Sequence, residues 1–222
     1  MSHIKTDTLF NRLDLNLQER RTLLRVVRLS VYFFILLFLV LGLWAMAKCG
    51  GVDTFSENGI VENIQLTLLL TSIFVFLIEG LHNKLYSPLL FFFATLTAFA
   101  FIREQDAFFE DFFPIISWKF AWLLPLFGAW NLFGKCKNFK KIFFSFLDSS
   151  AFLLMFIAMI VFIPLAQCIG HRPFIAVSIG TPDNMSVIRR FIEETMELMA
   201  YVLVFLSSIE LHLELTKKIN RK

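Results

Sequence analysis

Nineteen consecutive residues, Leu29 to Ala47, carry no charged side chain. That many residues of α-helix rise about 29 Å, close to the ~30 Å hydrocarbon thickness of a bilayer. Inside hydrocarbon the backbone must satisfy its own hydrogen bonds, so such a run predicts a spanning helix. The rest of the chain agrees. Of 222 residues, 57% are hydrophobic, 18% are charged and 29 are Phe; ordinary soluble domains hold about 45–50% apolar and about 25% charged residues. Mean hydropathy is +0.70, and one domain's worth of chain has too little interior to hide this much apolar surface. A net charge of +3 and three Cys exclude a basic nucleic-acid binder and a disulfide scaffold. The expected environment is the lipid bilayer, with no nucleic acid on the membrane domain.

The predicted fold class is an all-α membrane protein of six transmembrane helices, preceded by a cytoplasmic amphipathic helix. Residues 1–28 are the predicted tail, 29–215 the membrane domain and 216–222 a basic cytoplasmic tail. The spans are placed at 29–47, 62–82, 86–102, 114–133, 149–169 and 187–215. Lys119 and Pro125 lie within the fourth, and Pro164 near the end of the fifth. Lys and Arg concentrate on the cytoplasmic side of membrane proteins. With the N-terminus inside, fifteen of the 21 basic residues fall on inner segments. This predicts an N-in/C-in multi-pass protein of a bacterial inner membrane. Ala45-Met46-Ala47 resembles a signal-cleavage site, but the apolar core before it is long and 28 residues precede that core, so the segment reads as a retained span.

Acidic residues distribute the opposite way. Eleven of them, against six bases, fall on the predicted outer side, an excess that the positive-inside rule does not demand. In the last span the uncharged stretch, Leu198 to Ile209, is only 12 residues, about 18 Å of helix. Glu197, with Glu194 or Glu210, must then enter the apolar slab or line a wet cavity, because a carboxylate facing lipid costs about 2.5–3.5 kcal/mol or more. Glu193 and Glu197 stand one helical turn apart. Glu62, Arg103, Glu104, Asp106, His171, Arg172 and Arg189 reach the same membrane level. Together with Glu193, Glu194 and Glu197 they form the candidate ion pathway or polar cavity.

Other segments are informative in smaller ways. Asp106 to Phe113 pairs Phe108 with Phe112 and Phe109 with Phe113 at helical spacing, predicting an interfacial connector with rings down and acids up. Arg20, Arg21, Arg25 and Arg28 make the N-terminal tail a contact for anionic lipid, an anionic ligand or a cytosolic partner; Arg21, Arg25 and Arg28 share one helical face. Cys49 and Cys168 both fall near the outer side, and whether they pair depends on a Cα separation that sequence leaves open. His82, three residues after Glu79, and His212, two after Glu210, read as a solvated polar edge at the inner surface.

Arg103-Glu104-Gln105-Asp106 (RExD) and the EExxE of Glu193, Glu194 and Glu197 resemble stretches in a broad group of polytopic bacterial inner-membrane proteins. The resemblance implies only that these acids belong together. The chain has no GxSxG elbow, Walker loop or HExxH motif, and no cofactor or metal is expected. The leading expectation is a homo-oligomeric channel or pore-forming effector with a cation-attracting acidic mouth. Size and topology are analogous to effectors of bacterial antiviral defence. The alternative is a membrane-embedded carboxylate- or metal-dependent enzyme acting on a lipid or envelope substrate at the outer leaflet; a third reading is an assembly subunit without a site.

Overall fold

The computed structural model describes residues 16–50, 55, 59–105, 118–135, 138–166 and 185–219. Every regular element among them is helical and none is a strand. The α-helices are α1 (Leu17–Gly50), α2 (Ile60–His82), α3 (Ser87–Glu104), α4 (Leu123–Lys135), α5 (Phe139–Leu147), α6 (Ser150–Ile160) and α7 (Met185–Ile219). Four stretches are long and apolar enough to cross a membrane: Gln18–Met46, Ile60–His82, Ser87–Glu104 and Ser186–Thr216. A fifth arises if α5 and the Ser150–Ala166 segment, bent by 78°, form one broken span. The chain is a membrane-embedded helical protein.

The chain divides into two units, residues 1–42 and 43–222. In the first, α1 starts earlier than the 29–47 span expected from charge. Asn16 Oδ1 accepts hydrogen bonds from the backbone N–H groups of Gln18 (3.0 Å) and Glu19 (2.9 Å), while Glu19 Oε2 accepts from Asn16 N at 2.8 Å. This reciprocal cap starts the helix at Leu17. No Gly or Pro separates Leu17 from Leu29, and Leu, Arg and Glu favour helix, so the basic segment and the apolar run form one continuous rod. Residues 1–15 of the expected tail lie outside the described residues.

In the second unit, α2 and α3 form an antiparallel pair: Phe76 packs on Phe93 with ring centroids 5.7 Å apart, and Gly80 faces Leu90. α4 returns along α3, with Phe99 on Trp122 (4.5 Å) and Phe91 on Phe127 (5.8 Å). Gly128 permits this approach, since a Cβ there would lie 3.2 Å from Thr95 Cβ and 3.3 Å from Phe92 Cα. The fourth span was expected as one helix over 114–133. Its described part is instead a 3-10 turn, Trp118–Trp122, followed by the 13-residue α4. Pro125 accounts for the late start of α-geometry: it lacks an N–H and disfavours the α region at Leu124, so it is tolerated only in the first turn.

α6 carries the start of the expected fifth span. Ser149 Oγ accepts from Phe152 N at 3.0 Å and donates to Phe146 O at 2.5 Å, so one hydroxyl stitches the end of α5 to the start of α6. After Ile160 the helix widens into a π segment, Val161–Ala166, around Pro164, which cannot donate to the preceding turn.

α7 is the most enclosed candidate span: 61% of its most apolar stretch is buried, against 28% for α2 and 33% for α3. It runs parallel to α2, since Gln65 meets Glu194 and Glu79 meets His212. It runs antiparallel to α6, since Ser207 Oγ donates to Ala151 O and Glu214 Oε1 accepts from Ser150 N. The apolar core gathers Phe76, Leu90, Phe93, Phe146, Met155 and Leu211 among others.

Candidate functional site

The last turn of α3 and the first half of α7 build a buried ionic cluster. Arg103 is oriented by two carboxylates. Its Nη2 donates to Glu104 Oε1 at 2.6 Å and to Glu197 Oε1 at 2.5 Å, and its Nε reaches Glu104 Oε1 at 3.3 Å. The Tyr201 hydroxyl, one turn beyond Glu197, donates to the same Glu104 oxygen at 2.6 Å. Side-chain exposure is 22% for Arg103, 9% for Glu104 and 6% for Glu197, so these charges are held by protein rather than by lipid headgroups or bulk water. The π segment closes one side: the Phe162 ring lies 4.6 Å from the Arg103 guanidinium carbon and 5.6 Å from the Tyr201 ring.

One turn N-terminal on α7, Glu194 joins from α2's side. Gln65 Nε2 donates to Glu194 Oε2 at 3.1 Å and to the Glu194 backbone carbonyl at 3.2 Å. Gln65 is fully buried. It belongs to the face α2 turns inward: Val61, Gln65, Leu69, Ser72, Phe76 and Glu79, a 4-4-3-4-3 spacing that keeps one stripe against neighbouring helices. Gln65, Ser72 and Glu79 recur every seventh residue, so the stripe is polar once in each two turns.

Of the ten residues expected in the polar cavity, the structure brings Arg103, Glu104 and Glu197 into direct contact, with Glu194 beside them. Arg189 and Glu193 form a separate pair on the α7 surface, 3.9 Å apart and about a third exposed. Glu62 lies in the first turn of α2. Asp106, His171 and Arg172 lie outside the described residues, as do the Asp106–Phe113 connector and Cys168. Of the N-terminal arginines, Arg25 is exposed on α1 while Arg20 and Arg28 are partly covered; the side chain of Arg21 lies outside the description.

Sequence reasoning passed over Tyr201, Gln65 and Phe162. The first two had a signal: Glu194-x-x-Glu197-x-x-x-Tyr201 keeps one helix face, and Gln65 opens the Gln65–Ser72–Glu79 heptad. Phe162, one Phe among 29, had none. The opposite end of the α2–α7 interface adds a contact across helices. His212 Nδ1 donates to Glu79 Oε1 at 2.5 Å, across helices rather than along its own, and Asn83 Nδ2 donates to Glu79 Oε2 at 2.8 Å. Both histidines of the expected polar edge are exposed, and His212 in addition ties α7 to the buried Glu79 of α2.

Chemically, the cluster sets three carboxyl groups against one guanidinium in a place that water reaches poorly. Removing several charges from water is costly unless each is paired, and among the described residues one guanidinium stands with three carboxyl groups. Such an arrangement accommodates an added positive charge. Among the described residues, no three His, Cys, Asp or Glu side chains converge to hold a metal ion. No protein-family model, curated protein or solved structure matches this chain.

Proposed function

We propose that this chain is a bacterial inner-membrane protein of six spans, N-in and C-in, that conducts cations through a carboxylate-lined site. The observation that carries the proposal is the enclosure of Glu197 with Arg103, Glu104 and Tyr201 inside one protomer. Ionisable residues at membrane depth are expensive, and where they persist they mark ion or substrate pathways. In this reading the cation path lies within each protomer, where Glu197 is buried, and homo-oligomerisation sets pathways side by side rather than building one ring. The alternating directions of α2, α3 and α4 support an orientation in which successive crossings reverse. The basic face of α1 then lies toward the anionic cytoplasmic leaflet.

The test is reconstitution. Purified protein in liposomes is expected to pass monovalent cations in preference to anions, and Glu197→Gln to reduce that flux about tenfold without changing the detergent-solubilised oligomer. Anion flux equal to cation flux, or wild-type flux in Glu197→Gln, overturns the reading.

A second reading draws on the 2.6 Å Tyr201–Glu104 hydrogen bond. A phenol held on a carboxylate beside a guanidinium is an acid–base set suited to a membrane-embedded enzyme acting on a lipid or envelope substrate. It predicts no conductance, and turnover that Tyr201→Phe reduces.

A further inference from the structure

Gln65 makes a demand that no described residue meets. Both contacts of its Nε2 are with acceptors, Glu194 Oε2 and the Glu194 carbonyl. Turning the amide over would set oxygen against oxygen, so its orientation is fixed by the network. Oε1 is thereby committed to the other edge of the amide. There it is buried and accepts no hydrogen bond from any described residue, although Gln65 as a whole has no exposed surface. A buried acceptor without a donor carries its full desolvation penalty. Gln65 contacts Glu194, and one turn on stands Glu197, part of a cluster in which, among the described residues, three carboxyl groups stand with one guanidinium.

From this pairing we infer that Gln65 Oε1 and the Glu194 carboxylate form the protein half of a binding site for a small monovalent cation of sodium type, at the α2–α7 interface. The inference rests on the cation-conducting reading and names its ion class and its first ligands. A hard cation takes oxygen ligands, and an amide oxygen serves one in place of hydration water. A divalent ion of calcium type takes six to eight oxygens, commonly from several carboxylates, and the described acids do not converge that way. One amide oxygen and one carboxylate, completed by water, match a single charge. The cation would also offset the carboxylate that Arg103 leaves unpaired. The competing occupant is a proton on Glu194, which satisfies the carboxyl group without selecting among alkali ions.

The experiment uses the full-length protein in detergent. Its thermal unfolding midpoint is followed as sodium chloride replaces choline chloride at constant ionic strength, alongside equilibrium binding of radioactive sodium. Wild type is expected to show a saturable sodium-dependent rise, as mass action requires of a ligand bound only by the folded state. Gln65→Leu and Glu194→Gln should weaken sodium binding roughly tenfold or more. If Gln65→Leu does not fold, Gln65→Asn, which withdraws the oxygen by one methylene, is read by the same criterion. Identical midpoints in sodium and choline, a response to pH alone, or wild-type sodium affinity in the Leu or Asn variant overturns the site. Liposome flux separates this inference from the reading beneath it. Sodium binding without conductance ends the channel and leaves the site standing; conductance without sodium binding ends the site alone.

Discussion

The two ends of the α2–α7 interface solve the same problem in opposite ways. At one end Glu79 meets His212 and Asn83, each carboxylate oxygen accepting one short hydrogen bond, and the site is complete. At the other, among the described residues, Glu194, Glu197 and Glu104 share a single guanidinium, one tyrosine hydroxyl and one amide nitrogen, and the Gln65 amide oxygen goes without a donor. Fourteen residues of α2, about 21 Å of helix, separate Gln65 from Glu79. The contrast teaches that burial of polar groups along one seam does not assign them one role. A satisfied pair fastens two helices, whereas the excess of one sign at the other end is the feature on which the proposed cation site rests.

The sharpest way to break this contrast is to remove Arg103. Arg103→Met leaves Glu104 and Glu197 buried without their cation, and a buried pair broken on one side costs about 3–5 kcal/mol. A fall of that size is expected in thermal unfolding of the detergent-solubilised protein, with partial recovery when Glu197→Gln is added. A single variant as stable as wild type would mean that the cluster is solvated after all. Gly128→Leu, remote from both polar ends in character, tests packing alone. It wedges α4 from α3 and should lose about 1–3 kcal/mol, measured the same way; no loss would mean the close approach at Thr95 is incidental.

His212→Ala should cost less, about 1 kcal/mol, because the imidazole is half exposed and the bond it gives to Glu79 is only partly shielded from solvent. An effect as large as that of Arg103→Met would erase the distinction between the ends. Smallest of all, Arg189→Ala removes a partner 3.9 Å from Glu193 on the α7 surface and should shift stability by no more than about 0.5 kcal/mol.

Much of this was legible in the residues. Apolar runs marked the helices α2 and α3 to within two residues at each end, because the bilayer rule depends on length and charge alone. The shortness of the apolar stretch in α7 pointed to Glu197, and the RExD segment supplied Arg103 and Glu104. What escaped depended on geometry across helices. Pro125 and Pro164 were visible, yet the 3-10 turn before α4 and the π segment after Ile160 reflect where the backbone found substitute partners. The bend at Ser149 arises from one hydroxyl serving two helices. His212 was read against Glu210, its neighbour in sequence, whereas its partner is 133 residues away; the stripe on α2 that ends in Glu79 carried the missing information.

The most direct measurement compares cation flux through liposomes for Glu197→Gln and Glu79→Gln, normalised to folded protein and read at temperatures equally far below each unfolding midpoint. The account predicts that the first loses most of its flux and the second retains it. Equal losses in both variants, or a loss confined to Glu79→Gln, would contradict the division of labour between the two ends.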